Sequence, residues 1–140
     1  MLLLESHFAL ASYESAVKNV KPFVRHTPML KFVQNSAQIG LKLENMQSSG
    51  AFKIRGAVNA LANLDQASTV VVTASAGNHG KGVCLAAKWK QKQAVVFVPL
   101  HTGAEKIEWL QKNGATLIQK GNCFDETADF ARSYAAANGF

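Results

Sequence analysis

Apolar residues at Leu10, Tyr13, Val17 and Val20 recur at helical intervals, which predicts a helix over residues 8–21 that ends at Pro22. HTPMLKF, residues 26–32, reads as a turn followed by extended chain, because Pro28 pushes Thr27 out of helical geometry. GLKLEN, residues 40–45, alternates apolar and polar positions like a short strand. Ile54, Val58, Leu61 and Leu64 return to helical spacing and set Lys53 in the first turn of a helix.

Beyond Asp65 the rhythm changes. Apolar runs at residues 69–74 (TVVVTA), 94–99 (AVVFVP) and 115–119 (ATLIQ) alternate with helical patterns over residues 78–90, 104–113 and 125–137. Strict strand and helix alternation implies right-handed crossovers, hence an α/β fold with a parallel sheet and flanking helices. The pattern change near Asp65–Ser68 divides the chain into residues 1–65 and a parallel-sheet lobe, residues 66–140. No internal repeat or low-complexity linker interrupts the alternation.

With 140 residues, 48% of them hydrophobic and 17% charged, the chain has enough apolar material for a packed core. The opening MLLLESHF breaks at Glu5, too early for a signal-peptide core or a membrane span, so a cytoplasmic location is expected. Cys84 and Cys123 lack metal-ligand spacing and are expected to be reduced, buried thiols, and no metal site is expected. A formal net charge of +6 favours anionic ligands. The densest basic run, KWKQKQ at residues 88–93, falls where a helix should end, and cations there complement the helix dipole. That reading is preferred to a nucleic-acid patch, and neither nucleic acid nor membrane is an expected partner.

Two stretches carry chemistry. In QSSGAFKIRGAVNAL, residues 47–61, Lys53 stands at a helix start between Phe52 and Ile54, where desolvation and the positive helix end both favour a neutral amine. A neutral amine can attack a carbonyl carbon, which suggests a Schiff-base lysine; the alternative is a lysine that snorkels to water. In VVVTASAGNHGKG, residues 70–82, a buried strand turns through small residues into a helix and presents free N–H groups suited to an anion. Glycines at 77, 80 and 82 give G-x-x-G-x-G, which is neither the dinucleotide fingerprint nor a nucleotide P-loop.

Together with HTPML, VFVP, KIEWLQKNGA and the later ETADFA, these segments resemble the fold type II pyridoxal-phosphate enzymes, in particular the serine/threonine dehydratase branch, in order and spacing over nearly the whole chain. The resemblance implies pyridoxal 5'-phosphate as cofactor, held covalently by Lys53 with Phe52 beside its ring. It also implies a loop of Ser75, Ala76, Gly77, Asn78 and His79 that receives the substrate carboxylate, Asn78 reaching the ring oxygen of the cofactor as well. His79 either touches ligand or braces the loop and caps the helix, and Arg55 is expected in a structural ion pair. Lys53, once released from the cofactor, is the natural base for the α-proton. The implied reaction converts L-threonine or L-serine to a 2-oxo acid and ammonia, with a small amino acid as partner and a homo-oligomer conceivable for the complete enzyme.

The sequence Lys53-Ile54-Arg55-Gly56 and the loop Ser75–His79 differ from the Lys-Asp-Arg and T-S-G-N-T of cysteine synthases, which disfavours β-replacement. Serine racemases carry a second serine where this chain has Ala76, so racemisation is the runner-up activity. The family's usual serine before Phe-Lys is replaced by Ala51. These enzymes also extend further and cradle the cofactor phosphate in a later glycine-rich loop, a run absent from these 140 residues. The expectation is an amino-terminal portion, residues 1–65 belonging to a larger, incomplete lobe that exposes apolar surface. A non-catalytic module that binds a partner is the alternative.

Overall fold

The computed structural model describes residues 10–140, so MLLLESHF lies outside the described residues. Helix α1 (Leu10–Val20) ends before Pro22, which has no N–H to extend the ladder. The chain then forms a hairpin in which β1 (Met29–Gln34) pairs antiparallel with β2 (Ala37–Lys42). Asn35 and Ser36 make its two-residue turn with φ of 48° and 64°, the primed geometry that follows the strand twist. The strand expected over residues 40–45 thus starts earlier and stops at Lys42. Glu44 is drawn into a 3-10 turn (Glu44–Met46) by an ion pair with Arg55 and is lost to the ladder.

Helix α2 (Lys53–Ala62) turns Ile54, Ala57, Val58 and Leu61 inward. Leu64, expected on the same stripe, lies past the helix end and is exposed. The parallel sheet has the order β3-β4-β5, built from Val70–Ala74, Gln93–Val98 and Thr116–Gln119, with Val72 beside Val95 and Val96 beside Leu117. Helices α3 (Asn78–Trp89), α4 (Ala104–Lys112) and α5 (Phe124–Asn138) complete the expected alternation. Gly139 stops α5 in the left-handed region at φ 70°. Among the described residues, the outer edge of β3 pairs with no strand.

Central strand β4 is buried from Ala94 to Val98, as a parallel strand covered on both faces should be. Its alternate side chains feed two cores. Ala94, Val96 and Val98 join Ile54, Val58, Leu61, Val71, Val83 and Leu110, whereas Val95 and Phe97 meet Ala131 and Tyr134 of α5. Residues on both sides of Asp65–Ser68 therefore share the first core. Burial of Ile54 or Val58 alone contributes about 1.5–3 kcal/mol.

The lysines of KWKQKQ are engaged at the end of α3. Lys88 occupies its last turn, Lys90 Nζ stands 4.4 Å over the Phe23 ring, and Lys92 Nζ donates to the carbonyls of Asp65 and Ser68. Both cysteines are free thiols, but only Cys84 is buried. Cys123 is exposed because it sits outside the apolar stripe, at the N-cap of α5. No helix among the described residues is long and apolar enough to cross a membrane.

Candidate functional site

The site lies where α3 meets the first turn of α2. A Cβ on Gly82 would lie 3.2 Å from the Ile54 nitrogen and 3.3 Å from the Lys53 carbonyl carbon, so a residue with no side chain lets the two backbones touch. Gly80 has the same duty one step earlier, since a Cβ there would stand 2.1 Å from the Ser75 carbonyl oxygen. The loop from Ser75 to His79 is thereby folded back on α3, roughly two helical turns or less from Lys53 along that helix.

Ser75 N–H donates to the Phe97 carbonyl (3.0 Å), carrying the β3–β4 pairing one residue past the strand. Gly77 N–H donates to Ser75 Oγ (3.2 Å), and the first helical bond of α3 runs from Lys81 N–H to the Gly77 carbonyl (3.1 Å). The N–H groups of Asn78, His79 and Gly80 precede that bond and have no helical acceptor. With Asn78 and His79 exposed, the positive end of α3 faces outward from the carboxyl end of β3, a setting for a carboxylate or phosphate.

His79 borders two grooves that flank the open edge of β3, one walled by Gly56, Ala57 and Val83, the other by Ala128, Ala131 and Ala135. Partial burial lowers the pKa of its imidazole, and the nearby charge of Lys53 lowers it further. Lys53 and His79 thus lie within electrostatic reach of each other.

Lys53 itself is exposed, contrary to the expectation of scarce solvent. Its α2 neighbours Ile54, Ala57, Val58 and Leu61 take the buried stripe, and residue 53 lies off that face. Its Nζ stands 5.2 Å from the centroid of the Phe52 ring, and Phe52 is 59% exposed. Arg55 makes the expected ion pair. Its Nε and Nη2 donate to the two oxygens of Glu44 at 2.8 and 2.7 Å. Sequence reasoning missed Glu44, because the alternation of GLKLEN assigned it to a strand and its partners lie 11 and 17 positions away. The one available signal was its place just upstream of QSSGAFKIRGAVNAL, a segment that resembles the family.

Residues 20–140 match the family described as pyridoxal-phosphate dependent enzyme. Among curated proteins, the catabolic L-threonine dehydratase of Staphylococcus aureus is 38% identical over 138 residues, covering 94% of this chain and 40% of the relative. Among solved structures, the processed form of threonine deaminase isoform 2 from Solanum lycopersicum superposes with a TM-score of 0.83 at 28% identity, over 91% of this chain and 37% of that one. Maize serine racemase gives 0.82 at 31% identity, over 93% and 41%. The chain therefore spans about two fifths of the length of the curated relatives it matches. Its parallel sheet with flanking helices is the fold type II arrangement, and with a match that takes in both the lysine helix and the glycine-bounded loop, the chain belongs to the family of pyridoxal-phosphate dependent enzymes.

Proposed function

We propose that this chain is the lysine-bearing part of a pyridoxal-phosphate dependent ammonia-lyase that converts L-threonine or L-serine to a 2-oxo acid and ammonia. The observation that carries the reading is the close approach at Gly82, where the helix that begins with the free N–H groups of Asn78 and His79 meets the Lys53–Ile54 peptide. In this reading Lys53 Nζ holds the cofactor, and Phe52, exposed beside it, lies along the cofactor ring. Pyridoxal phosphate, when bound, supplies the electron sink for the pair left by the α C–H bond. Loop residues Ser75, Ala76, Gly77, Asn78 and His79 hold the substrate carboxylate, the backbone N–H groups of Asn78 and His79 donating to it, while the Asn78 amide reaches the cofactor. Lys53 takes the α-proton, and loss of the β-hydroxyl as water follows. Residues 1–65 belong to the larger lobe and residues 66–140 form the smaller one.

The exposed Lys53 and the open loop fit the lysine and carboxylate sides of such a site. A second reading, racemisation, is favoured by the likeness to maize serine racemase. Against it, Ala76 has no hydroxyl to return a proton to the opposite face of the α-carbon. The test begins with covalent mapping. Pyridoxal phosphate followed by borohydride should leave its label on Lys53, and Lys53→Ala should abolish that label; equal labelling of the surface lysines would sink the assignment. A longer protein carrying this chain should then release ammonia from L-threonine and L-serine, and inversion of serine outpacing ammonia release would hand the function to the racemase reading.

A further inference from the structure

Three separate segments converge on one carboxylate behind the lysine. Glu44, whose side chain is 16% exposed, accepts a hydrogen bond from Thr27 Oγ1 at 2.6 Å as well as the two from Arg55. Gln47 Nε2 adds a contact to Glu44 at 3.3 Å and donates to the Arg25 carbonyl at 2.8 Å, while Gln47 Oε1 accepts the Arg25 N–H at 3.1 Å. Residues 25–27, the 3-10 turn and the first turn of α2 are stapled together by this cluster. Helix α2 needs such a staple, because Phe52 at its N-cap is itself in helical geometry and makes no side-chain cap. Gly82 meets the first turn of α2 at the Lys53–Ile54 peptide. Arg55 lies about 200° around the helix from Lys53, so its planar fork restrains that turn from another side.

We propose that Glu44 is a positioning residue for Lys53: through the Arg55 fork and the Thr27 hydroxyl it fixes the direction in which α2 presents the lysine to the start of α3. The inference rests on the reading of Lys53 as the cofactor's attachment point. A small tilt of the helix start would move Nζ, at the end of a long side chain, far more than it moves the buried core.

The experiment measures selectivity, which a purely structural contact leaves alone. The folded protein is treated with limiting pyridoxal phosphate and borohydride, and the share of label on Lys53 is read against exposed Lys31 and Lys112 by peptide mapping. Glu44→Gln, which keeps the shape of the side chain and loses its charge, should lower the Lys53 share by about tenfold while cooperative unfolding persists. Lys92→Ala cuts a tie to the Asp65 and Ser68 carbonyls elsewhere, and should cost stability without changing that share. An unchanged share in Glu44→Gln, against a wild type that labels Lys53 preferentially, overturns the positioning role alone. If Glu44→Gln does not fold, Thr27→Val removes one of the Glu44 hydrogen bonds without touching charge, and an unchanged share there overturns it as well. A wild type with no preference for Lys53 overturns both the attachment point and the role built on it.

Discussion

The two thiols of the chain occupy opposite environments. Cys84 is packed under α4, donates to the Asn113 carbonyl at 3.3 Å, and burial pushes its pKa up. Cys123 stands in the open at the N-cap position of α5, its side chain making no cap hydrogen bond. Because thiolate is the reactive form, iodoacetamide at mildly alkaline pH should take up one equivalent at Cys123 in the folded protein, and the second only after denaturant exposes Cys84. Mass mapping of the alkylated sites checks this, and equal rates at both would contradict the burial of Cys84. Residue chemistry was legible in the sequence only where it was local. Lys53 and the Ser75–His79 loop stand out as candidates by their immediate neighbours, and Arg55, whose ion pair the structure holds, by its charge beside an apolar stripe. Glu44 gathers its partners across the fold, so no spacing in the chain could display them. The solvent around Lys53 was misjudged for a related reason, since flanking apolar residues do not reveal which face of a helix is covered.

At the scale of elements, the alternating strands and helices beyond Asp65 were readable because buried parallel strands are short apolar runs of β-branched residues bounded by turns. The hairpin of β1 and β2 was not. Its strands carry apolar residues on both faces, Val33 being 68% exposed, and its Asn35-Ser36 turn lacks the glycine that usually marks such a bend. Within the helices, glycines divide into those that contact and those that do not. Gly80→Ala drives a Cβ into the Ser75 carbonyl and should cost at least about 2 kcal/mol, since backbone cannot retreat as a side chain can. Gly56, inside α2, would meet nothing within 4 Å, and Gly56→Ala should gain about 0.5–1 kcal/mol from lost unfolded-state freedom. Urea unfolding of the two variants decides the matter: the midpoints should move in opposite directions.

The larger of the two cores gathers residues from Ile54 to Leu110, and the front half leaves much of its apolar surface uncovered. Tyr13, Val17, Met29, Leu30, Phe32 and Leu41 are all exposed. A net charge of +6 is set against that surface, and charge repulsion between copies acts over about 10 Å at 0.1 M salt, less as salt rises. The outer edge of β3 matters most here, for it pairs with no strand among the described residues along Val-Val-Val-Thr-Ala, a stretch with neither charge nor proline to deter pairing. Light scattering should therefore rise with added sodium chloride, and Val72→Lys should blunt that rise. In practical terms the open edge bears on the colloid as well as on the fold: purification, concentration and storage of this chain should depend on salt, through how well like charge keeps neighbouring β3 edges apart.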